Sequence, residues 1–99
     1  MAVETTGDPG TLKLSGRVRA GDALTLRNVC LEMIEAQSPV ITLDLADADS
    51  LDSVVLGQLV GIHLTCKRAG ARLRLIHVSE DVEDVLAETK LLQILNVEK

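Results

Sequence analysis

The sequence predicts an α/β domain in which a largely parallel β-sheet is flanked by helices. Strand-like and helix-like segments alternate along the chain with short connections, and this order favours parallel strands joined by crossover helices. The run VITLDLA at 40–46 is nearly continuously apolar, which is typical of a strand covered by helices on both faces. With 99 residues, of which 46% are apolar, the chain is long enough for one core, so we expect a single domain over residues 11–99.

The N-terminal stretch 1–10 is polar and ends in an Asp-Pro-Gly turn signal, so we expect a flexible segment before the domain. The following TLKLSGRV alternates apolar and polar residues, which predicts a half-buried strand that ends at Gly16. Asp22 is the predicted N-cap of the first helix, because apolar residues recur from Ala23 onward at helical spacing. Pro39 marks the end of that helix.

The second half of the chain repeats this order. A helix begins at Ser53 and ends at Gly70, a residue type that favours helix C-termini. The segment 71–78 alternates arginine and leucine residues and is the next predicted strand. Ser79 caps a third helix whose acidic first turn favours the helix dipole. The final run LLQILNV, residues 91–97, is expected to form a short apolar turn or a last strand.

Composition excludes several classes of function. The chain contains no Phe, Tyr or Trp and has a net charge of −5, so it lacks the stacking platforms and the positive charge that favour nucleic-acid binding. An acidic protein of this kind suits a basic protein partner. No basic leader precedes an apolar stretch, and no apolar run approaches the length of about 20 residues that a membrane span needs. We therefore expect a cytoplasmic protein that binds no nucleic acid and does not insert into a membrane.

Motifs for cofactors and for catalysis are also missing. The sequence has neither a G-x-x-x-x-G-K-[ST] loop nor a G-x-G-x-x-G turn after a strand, so no phosphate-cradling loop is predicted. His63 and His77 lack H-E-x-x-H spacing, and there is no G-x-S-x-G elbow. Cys30 and Cys66 lie in apolar helical patterns without metal-ligand spacing, so we expect both to be buried and reduced. We therefore predict no catalytic residue, no metal site and no cofactor.

Four aspartates before the second helix raise the question of a metal site. They fall within nine residues, at Asp44, Asp47, Asp49 and Asp52. An EF-hand loop needs a glycine at its sixth position and a glutamate at its twelfth, but counted from Asp47 these positions hold Asp52 and Gln58. Solvated loop carboxylates are therefore the main interpretation. A small phosphoryl-transfer enzyme that uses Asp44 and Asp52 with Mg²⁺ stays open as an alternative.

Ser53, at the start of the second helix, has two interpretations. A phosphate at a helix N-terminus is stabilised by free backbone N–H groups, and a phosphoserine adds about −1.5 to −2 charges at pH 7. Next to Asp49 and Asp52 this charge would create a dense anionic surface that can break a protein interface. The alternative is that Asp52 or Ser53 only caps the helix, which contributes roughly 1 kcal/mol.

The order and spacing of these segments resemble a known family. The run VITLDLADADSLDSVVLGQLVGIHLTCKRAGARLRLIHVSEDVEDVLAETKLLQIL, together with the earlier LKLSG and the helix after Asp22, is similar to the STAS domain of bacterial anti-sigma factor antagonists. The likeness extends over residues 11–97. It implies a STAS-like fold with a central mixed, largely parallel β-sheet flanked by about four helices, and a first strand at the sheet edge before residue 11.

The resemblance also implies a function, which is partner switching. In the family, an unmodified antagonist binds an anti-sigma factor kinase and frees the sigma factor, and phosphorylation of a Ser or Thr at the helix start breaks that complex. For this chain it implies a non-enzymatic regulator in signal transduction and transcription regulation, with Ser53 as the phosphorylation candidate. The implied partner is an anti-sigma factor that is a serine kinase, or a phosphatase. The implied partner-binding residues are Asp49, Asp52, Ser53, Val54, Leu56 and Gly57.

The chain departs from the family pattern at three positions. Many antagonists have a second hydroxyl and then a glycine after the Asp-Ser pair, where this chain has Val54 and Val55. In the stress-signalling branch, the hydroxyl directly after Asp accepts the phosphate, and that position is Ser53. Lys90 replaces a common glycine before the final Leu-Leu pair. The alternative function is therefore a constitutive, unphosphorylated STAS subunit of a lipid or anion transporter, bound to its ATPase subunit, or of a signalling complex. A homodimer also stays open.

Overall fold

The computed structural model describes residues 3–98 and has, within that range, one five-stranded sheet and three α-helices. In chain order the elements are β1 (Val3–Thr5), β2 (Thr11–Val18), α1 (Ala20–Glu35), β3 (Val40–Leu51), α2 (Ser53–Ala69), β4 (Arg72–Ile76), α3 (Glu80–Glu88), a 3₁₀ turn (Leu91–Gln93) and β5 (Asn96–Val97). The strands lie side by side in this order; β1 is antiparallel to β2, and the other neighbours are parallel. The mixed, largely parallel sheet is confirmed. The number of about four helices is wrong, because the last apolar segment forms only a three-residue 3₁₀ turn and a short strand.

The antiparallel edge of the sheet lies within the segment 1–10. Residues 1 and 2 of this segment lie outside the described range. Val3–Thr5 pairs with β2, and Val3 is buried opposite Leu14. The backbone N–H of Asp8 donates to the Thr6 hydroxyl at 3.1 Å, which helps to form the turn between the two strands.

One face of the sheet forms the core. Leu12, Leu43 and Leu75 pair in register across β2, β3 and β4, so their side chains share this face. α1 and α2 pack against each other and complete the core with aliphatic residues and the two cysteines. Fully buried residues include Leu12, Leu14, Leu26, Leu43, Leu59, Leu73 and Leu75. In this chain without aromatic residues, leucine therefore supplies most of the large buried side chains of the core.

The opposite face of the sheet is polar, and the prediction that helices cover both faces of the 40–46 strand is wrong. Lys13 and Arg74 lie on this face with side chains that are 41% and 40% exposed. Thr42 pairs in register with Arg74, and Asp44 pairs with Lys13. The run VITLDLA therefore alternates after all: Ile41, Leu43 and Leu45 are fully buried in the core. Thr42 and Asp44 lie on the polar face, where Thr42 is 8% exposed and the Asp44 side chain 26% exposed.

β3 is longer than the sequence predicts. It runs to Leu51 and includes Asp47 and Asp49, which the sequence places in a turn. Two register shifts against β2 mark β-bulges. A bulge adds a residue to one strand and interrupts the inward and outward alternation of its side chains. This acidic stretch therefore lacks the sequence pattern of a strand although it pairs as one.

α1 begins at Ala20, and the prediction that Asp22 is its N-cap is wrong. Asp22 lies inside the first turn, and its carboxylate accepts a hydrogen bond from the backbone N–H of Arg19 at 2.9 Å. A side chain at this position caps the helix from within by reaching back one turn. The helix begins before its apolar pattern does, because Ala20 and Gly21 are not part of the buried stripe that starts at Ala23.

The helix boundaries predicted for the second half of the chain are confirmed. α2 begins at Ser53, and Gly70 ends it in the left-handed conformation with φ of 76°. The Ser79 hydroxyl accepts from the backbone N–H of Val82 at 3.3 Å and caps α3. Lys90 follows α3 with φ of 64°, a conformation that favours the glycine of the family pattern. None of the helices within residues 3–98 is long and apolar enough to cross a membrane.

Asp52 joins the start of α2 to the start of α1. Its Oδ1 accepts from the backbone N–H groups of Val54 and Val55 at 3.0 and 3.1 Å, and so caps α2. Its Oδ2 accepts from the backbone N–H of Ala20, the first residue of α1, at 2.8 Å and 32 residues away in the chain. The N–H of Asp52 donates to the carbonyl of Val18 at 3.1 Å. One carboxylate therefore holds two helix N-termini side by side.

Replacement of Asp52 by alanine should destabilise the fold, because three backbone N–H groups lose their acceptor. We expect the free energy of unfolding to fall by about 2–3 kcal/mol, which combines a lost N-cap with a lost charge-assisted hydrogen bond. Urea denaturation followed by circular dichroism measures the change. Asp49→Ala is the matched control, because Asp49 is exposed and its loss should change stability by less than about 0.5 kcal/mol. Equal stability of the two variants would contradict this role of Asp52.

Candidate functional site

The N-termini of α1 and α2 form one surface at the carboxyl edge of the sheet. Both helices follow parallel strands, and binding sites of α/β sheets gather beyond the carboxyl ends of such strands. The hydrogen bond from Ala20 to Asp52 fixes the two helix starts relative to each other. We call residues 17–24 and 49–57 together the helix-start surface. It includes all six residues that the resemblance implies for partner binding.

Ser53 is the first residue of α2, and its side chain is exposed. Capping is performed by Asp52, which leaves the Ser53 hydroxyl without that role. Within residues 3–98 no hydrogen bond to this hydroxyl is observed, and the residue is open to solvent. The capping interpretation thus applies to Asp52, whereas Ser53 is accessible to a modifying enzyme.

Two exposed apolar side chains lie in the first turns of α1 and α2. Val54 is 50% exposed at the second position of α2. Leu24 is 61% exposed and lies one turn beyond Ala20 on the same face of α1. The exposure of Leu24 is not among the predictions from the sequence. Its position indicates this exposure, because Leu24 falls outside the buried stripe formed by Ala23, Leu26 and the residues that follow. An apolar pair at this edge offers a contact area for a protein partner.

The other implied partner-binding residues differ in their access to solvent. Asp49 and Gly57 are exposed, and a Cβ at Gly57 would meet no atom within 4 Å, so the surface is open there. Leu56 is only 6% exposed and belongs to the core. Within the helix-start surface it is therefore closed to a partner, and it anchors α2 on the core.

Two arginines that sequence reasoning misses belong to the helix-start surface. Arg17 pairs in register with Ser50, and its side chain is exposed. Arg19 is the exposed residue at the N-cap position of α1, directly before Ala20, and its side chain makes no capping hydrogen bond. The strand alternation in TLKLSGRV places Arg17 outward and is the signal that could have found it. The surface around Ser53 thus carries both signs of charge, and is less anionic than its aspartates alone indicate.

The remaining aspartates make separate contacts and do not converge on a common point. Asp44 accepts from the backbone N–H of Ala46 at 3.0 Å and pairs with Nδ1 of His77 at 3.0 Å; these contacts lower the pKa of its carboxyl group. Asp47 forms an ion pair with Lys13 at 2.6 Å, which raises the pKa of that lysine. In the described part of the chain, no group of three or more His, Cys, Asp and Glu side chains could hold a metal ion. Asp44 and Asp52 are thus engaged with different partners.

The histidines and cysteines lie away from Ser53. His63 is ten residues further along α2, a distance of about 15 Å along the helix axis. His77 follows β4 and pairs with Asp44. Cys30 and Cys66 are free and buried, and burial raises the pKa of the Cys30 thiol to about 12. No described histidine hydrogen-bonds to the Ser53 hydroxyl, so the arrangement of a nucleophile activated by a base is not formed here.

Solved structures with the same fold include regulators and a transporter-family protein. A Thermotoga maritima protein assigned as an anti-sigma factor antagonist has a TM-score of 0.79 and 23% identity, with 98% of this chain and 84% of that chain covered. The anti-sigma factor antagonist SpoIIAA in its unphosphorylated form has a TM-score of 0.72 and 16% identity, with 98% and 84% covered. A sulfate transporter family protein from Wolinella succinogenes has a TM-score of 0.80 and 22% identity, with 95% and 80% covered. At these identities the likeness establishes the fold.

The comparison at the level of sequence identifies the family. Among curated protein sequences no significant match was found. The family model described as the STAS domain matches residues 1–99. This match confirms the resemblance seen in the order of strands, helices and the Asp-Ser pair. The chain therefore belongs to the STAS domain family.

Proposed function

We propose that this chain is a non-enzymatic regulator that acts by partner switching, as an anti-sigma factor antagonist. Its partner is an anti-sigma factor with serine kinase activity, or a phosphatase of the same pathway. This partner docks on the helix-start surface. The single observation that carries the proposal is the exposed Ser53 hydroxyl, which lies beside Val54 and needs no role in capping because Asp52 performs it. Such partners act in the cytoplasm, where we place the chain.

Structural relatives support this proposal. SpoIIAA, with TM-scores of 0.72 and 0.74, is described as an anti-sigma factor antagonist in an unphosphorylated form and as a cell fate determinant in a phosphorylated form. The fold is therefore retained when SpoIIAA is phosphorylated, as a phosphorylation switch requires. In this chain the corresponding acceptor would be Ser53, because Val54 has no hydroxyl.

The physical basis of the switch is a change of charge on a surface that otherwise stays the same. The kinase transfers the γ-phosphoryl group of ATP to Oγ of Ser53: the bond from the γ-phosphorus to the bridging oxygen breaks, ADP leaves, and the hydroxyl proton is released. This chain is therefore the substrate and the partner is the catalyst. The phosphate adds about −1.5 to −2 charges at pH 7, and the start of a helix tolerates it well. The partner must then desolvate this charge next to Asp49 and Asp52, and the complex is weakened. The helix itself is retained.

A second candidate function is a constitutive STAS subunit that binds a transporter ATPase subunit without phosphorylation. The specific observation in its favour is the likeness to the sulfate transporter family protein, with a TM-score of 0.80. Val54 at the position of the more common acceptor also agrees with a module that is not modified. In that case Ser53→Ala should leave function unaltered, and a transporter ATPase subunit should co-purify with the chain.

Phosphorylation at Ser53 should break the partner complex. After incubation with ATP and the kinase encoded nearest to its gene, mass spectrometry should place one phosphate on Ser53. In binding measurements Ser53→Asp should weaken the complex at least tenfold, whereas Ser53→Ala should bind like wild type. Gln93→Glu adds the same charge at an exposed site in the 3₁₀ turn and serves as the control. A phosphate on another residue, or an S53D variant that binds as well as wild type, would overturn the switch.

The apolar part of the helix-start surface should contribute directly to partner affinity. We expect Leu24→Ala and Val54→Ala each to weaken binding about fivefold to tenfold, because a central apolar contact in an interface is worth about 1 kcal/mol or more. Isothermal titration calorimetry measures the affinity. Leu64→Ala is the matched control, since Leu64 is an exposed leucine of α2, 45% exposed, outside this surface. If L64A weakens binding as much as L24A does, the partner docks elsewhere.

A further inference from the structure

A second candidate site lies at the far end of α2. A cavity of about 260 Å³ opens between this helix and the strands β4 and β5. It is lined by His63, Lys67, Ala71, Arg72, Leu73 and Asn96. Lys67 is fourteen residues beyond Ser53 in the same helix, which corresponds to about 20 Å along its axis. The cavity is therefore separate from the helix-start surface, and an inference about it does not depend on the proposed switch.

The cavity is basic in a protein that is acidic overall. The chain has a net charge of −5, yet His63, Lys67 and Arg72 all line this cavity, and none of its six described lining residues is acidic. The carboxylate of Glu98 is close enough to Arg72 for that charge to contribute to its lowered pKa, but the larger cause is its hydrogen bond to Arg74. Glu98 is thus paired with Arg74, and Arg72 keeps its donors for another anion.

The C-terminus of α2 lies beside the cavity, and its carbonyl groups do not neutralise Lys67. The C-terminus of a helix carries partial negative charge on its last carbonyl groups. Here the carbonyls of Cys66 and Lys67 accept from the backbone N–H groups of Ala71 and Gly70 at 2.8 and 3.4 Å. Both carbonyls are engaged within the turn, and no hydrogen bond or ion pair of the Lys67 ammonium group is observed among residues 3–98.

The walls of the cavity indicate the kind of anion. Leu73 is 1% exposed and lies beneath the cavity, so Ala71, which is partly exposed, supplies the apolar surface of its floor. The Asn96 side-chain amide donates to the carbonyl of Leu73 at 3.2 Å, which fixes the amide and leaves its second N–H as a donor. A guanidinium, an ammonium and an amide together match the several acceptor oxygens of a phosphate group. The volume lies just below the range of about 300–1,000 Å³ that is usual for ligand pockets, so the ligand is small.

We propose that this cavity binds a small organic phosphate. Lys67 and Arg72 contact the phosphate oxygens, Asn96 donates a hydrogen bond, and the carbon part of the ligand lies on Ala71. A free phosphate ion satisfies the same charged groups but leaves the apolar floor uncovered. The organic phosphate should therefore bind more tightly than the ion alone.

Titration of the full chain with glycerol 3-phosphate and with inorganic phosphate tests this site, followed by amide shifts in two-dimensional NMR at constant ionic strength. We expect saturable shifts at Ala71, Arg72, Leu73 and Asn96, with tighter binding of glycerol 3-phosphate. Lys67→Gln and Arg72→Gln should each raise Kd about tenfold, the effect of one lost charge-assisted hydrogen bond. Both residues are exposed, and the unshifted remainder of the spectrum shows that each variant is folded.

Arg68→Gln is the matched control, because Arg68 is the exposed neighbour of Lys67 on α2 and does not line the cavity. Its Kd should stay within twofold of wild type. The proposal is overturned if millimolar ligand produces no saturable shifts, or if R68Q weakens binding as much as K67Q and R72Q do. It is also overturned if the shifts fall at Ala20 and Ser53 in place of the cavity.

Discussion

The hydrogen bonds of one carboxylate, that of Asp52, determine how the functional end of this domain is built. Its two oxygens accept from Val54 and Val55 at the start of α2 and from Ala20 at the start of α1. Helix N-termini leave backbone N–H groups without partners inside the helix, and a negative charge at that point is favourable. Because a single group serves both helices, their starts lie next to each other at the carboxyl edge of the sheet, and every other feature of the helix-start surface follows from this arrangement.

This division of roles explains how a switch can operate on a stable fold. Asp52 carries the structural role, so the neighbouring Ser53 has no described hydrogen bond to lose when it is modified. The core beneath, to which Leu56 belongs, is aliphatic and closed. A phosphate on Ser53 would therefore change the charge of the surface that Leu24 and Val54 present, while the helices keep their positions. The open polar face of the sheet and the basic cavity near Lys67 are separate from this edge, which leaves them available for other contacts.

Local chemistry is what the sequence predicts well in this protein. Ser53 and Gly70 bound α2, and Ser79 caps α3, because capping and left-handed termination depend on a few adjacent residues. The STAS fold follows from the order of such segments. The contact between Ala20 and Asp52 could not be predicted, since it joins positions 32 residues apart through the backbone of one and the side chain of the other. The prediction of helices on both faces of the 40–46 strand is wrong for a related reason. Whether a helix covers the side of the strand that carries Thr42 and Asp44 depends on where the rest of the chain packs. The cavity likewise combines His63 with Asn96, which only the sheet order brings together.

Amide hydrogen exchange in an Asp52→Asn variant measures whether Asp52 holds the two helix starts together in one surface. The asparagine carbonyl oxygen can still accept from Val54 and Val55, so α2 keeps its cap, but the amide NH₂ that replaces Oδ2 cannot accept from Ala20. The account predicts that the Ala20 amide exchanges much faster in the variant while the Val54 and Val55 amides keep their protection. Unchanged exchange at Ala20 would contradict it.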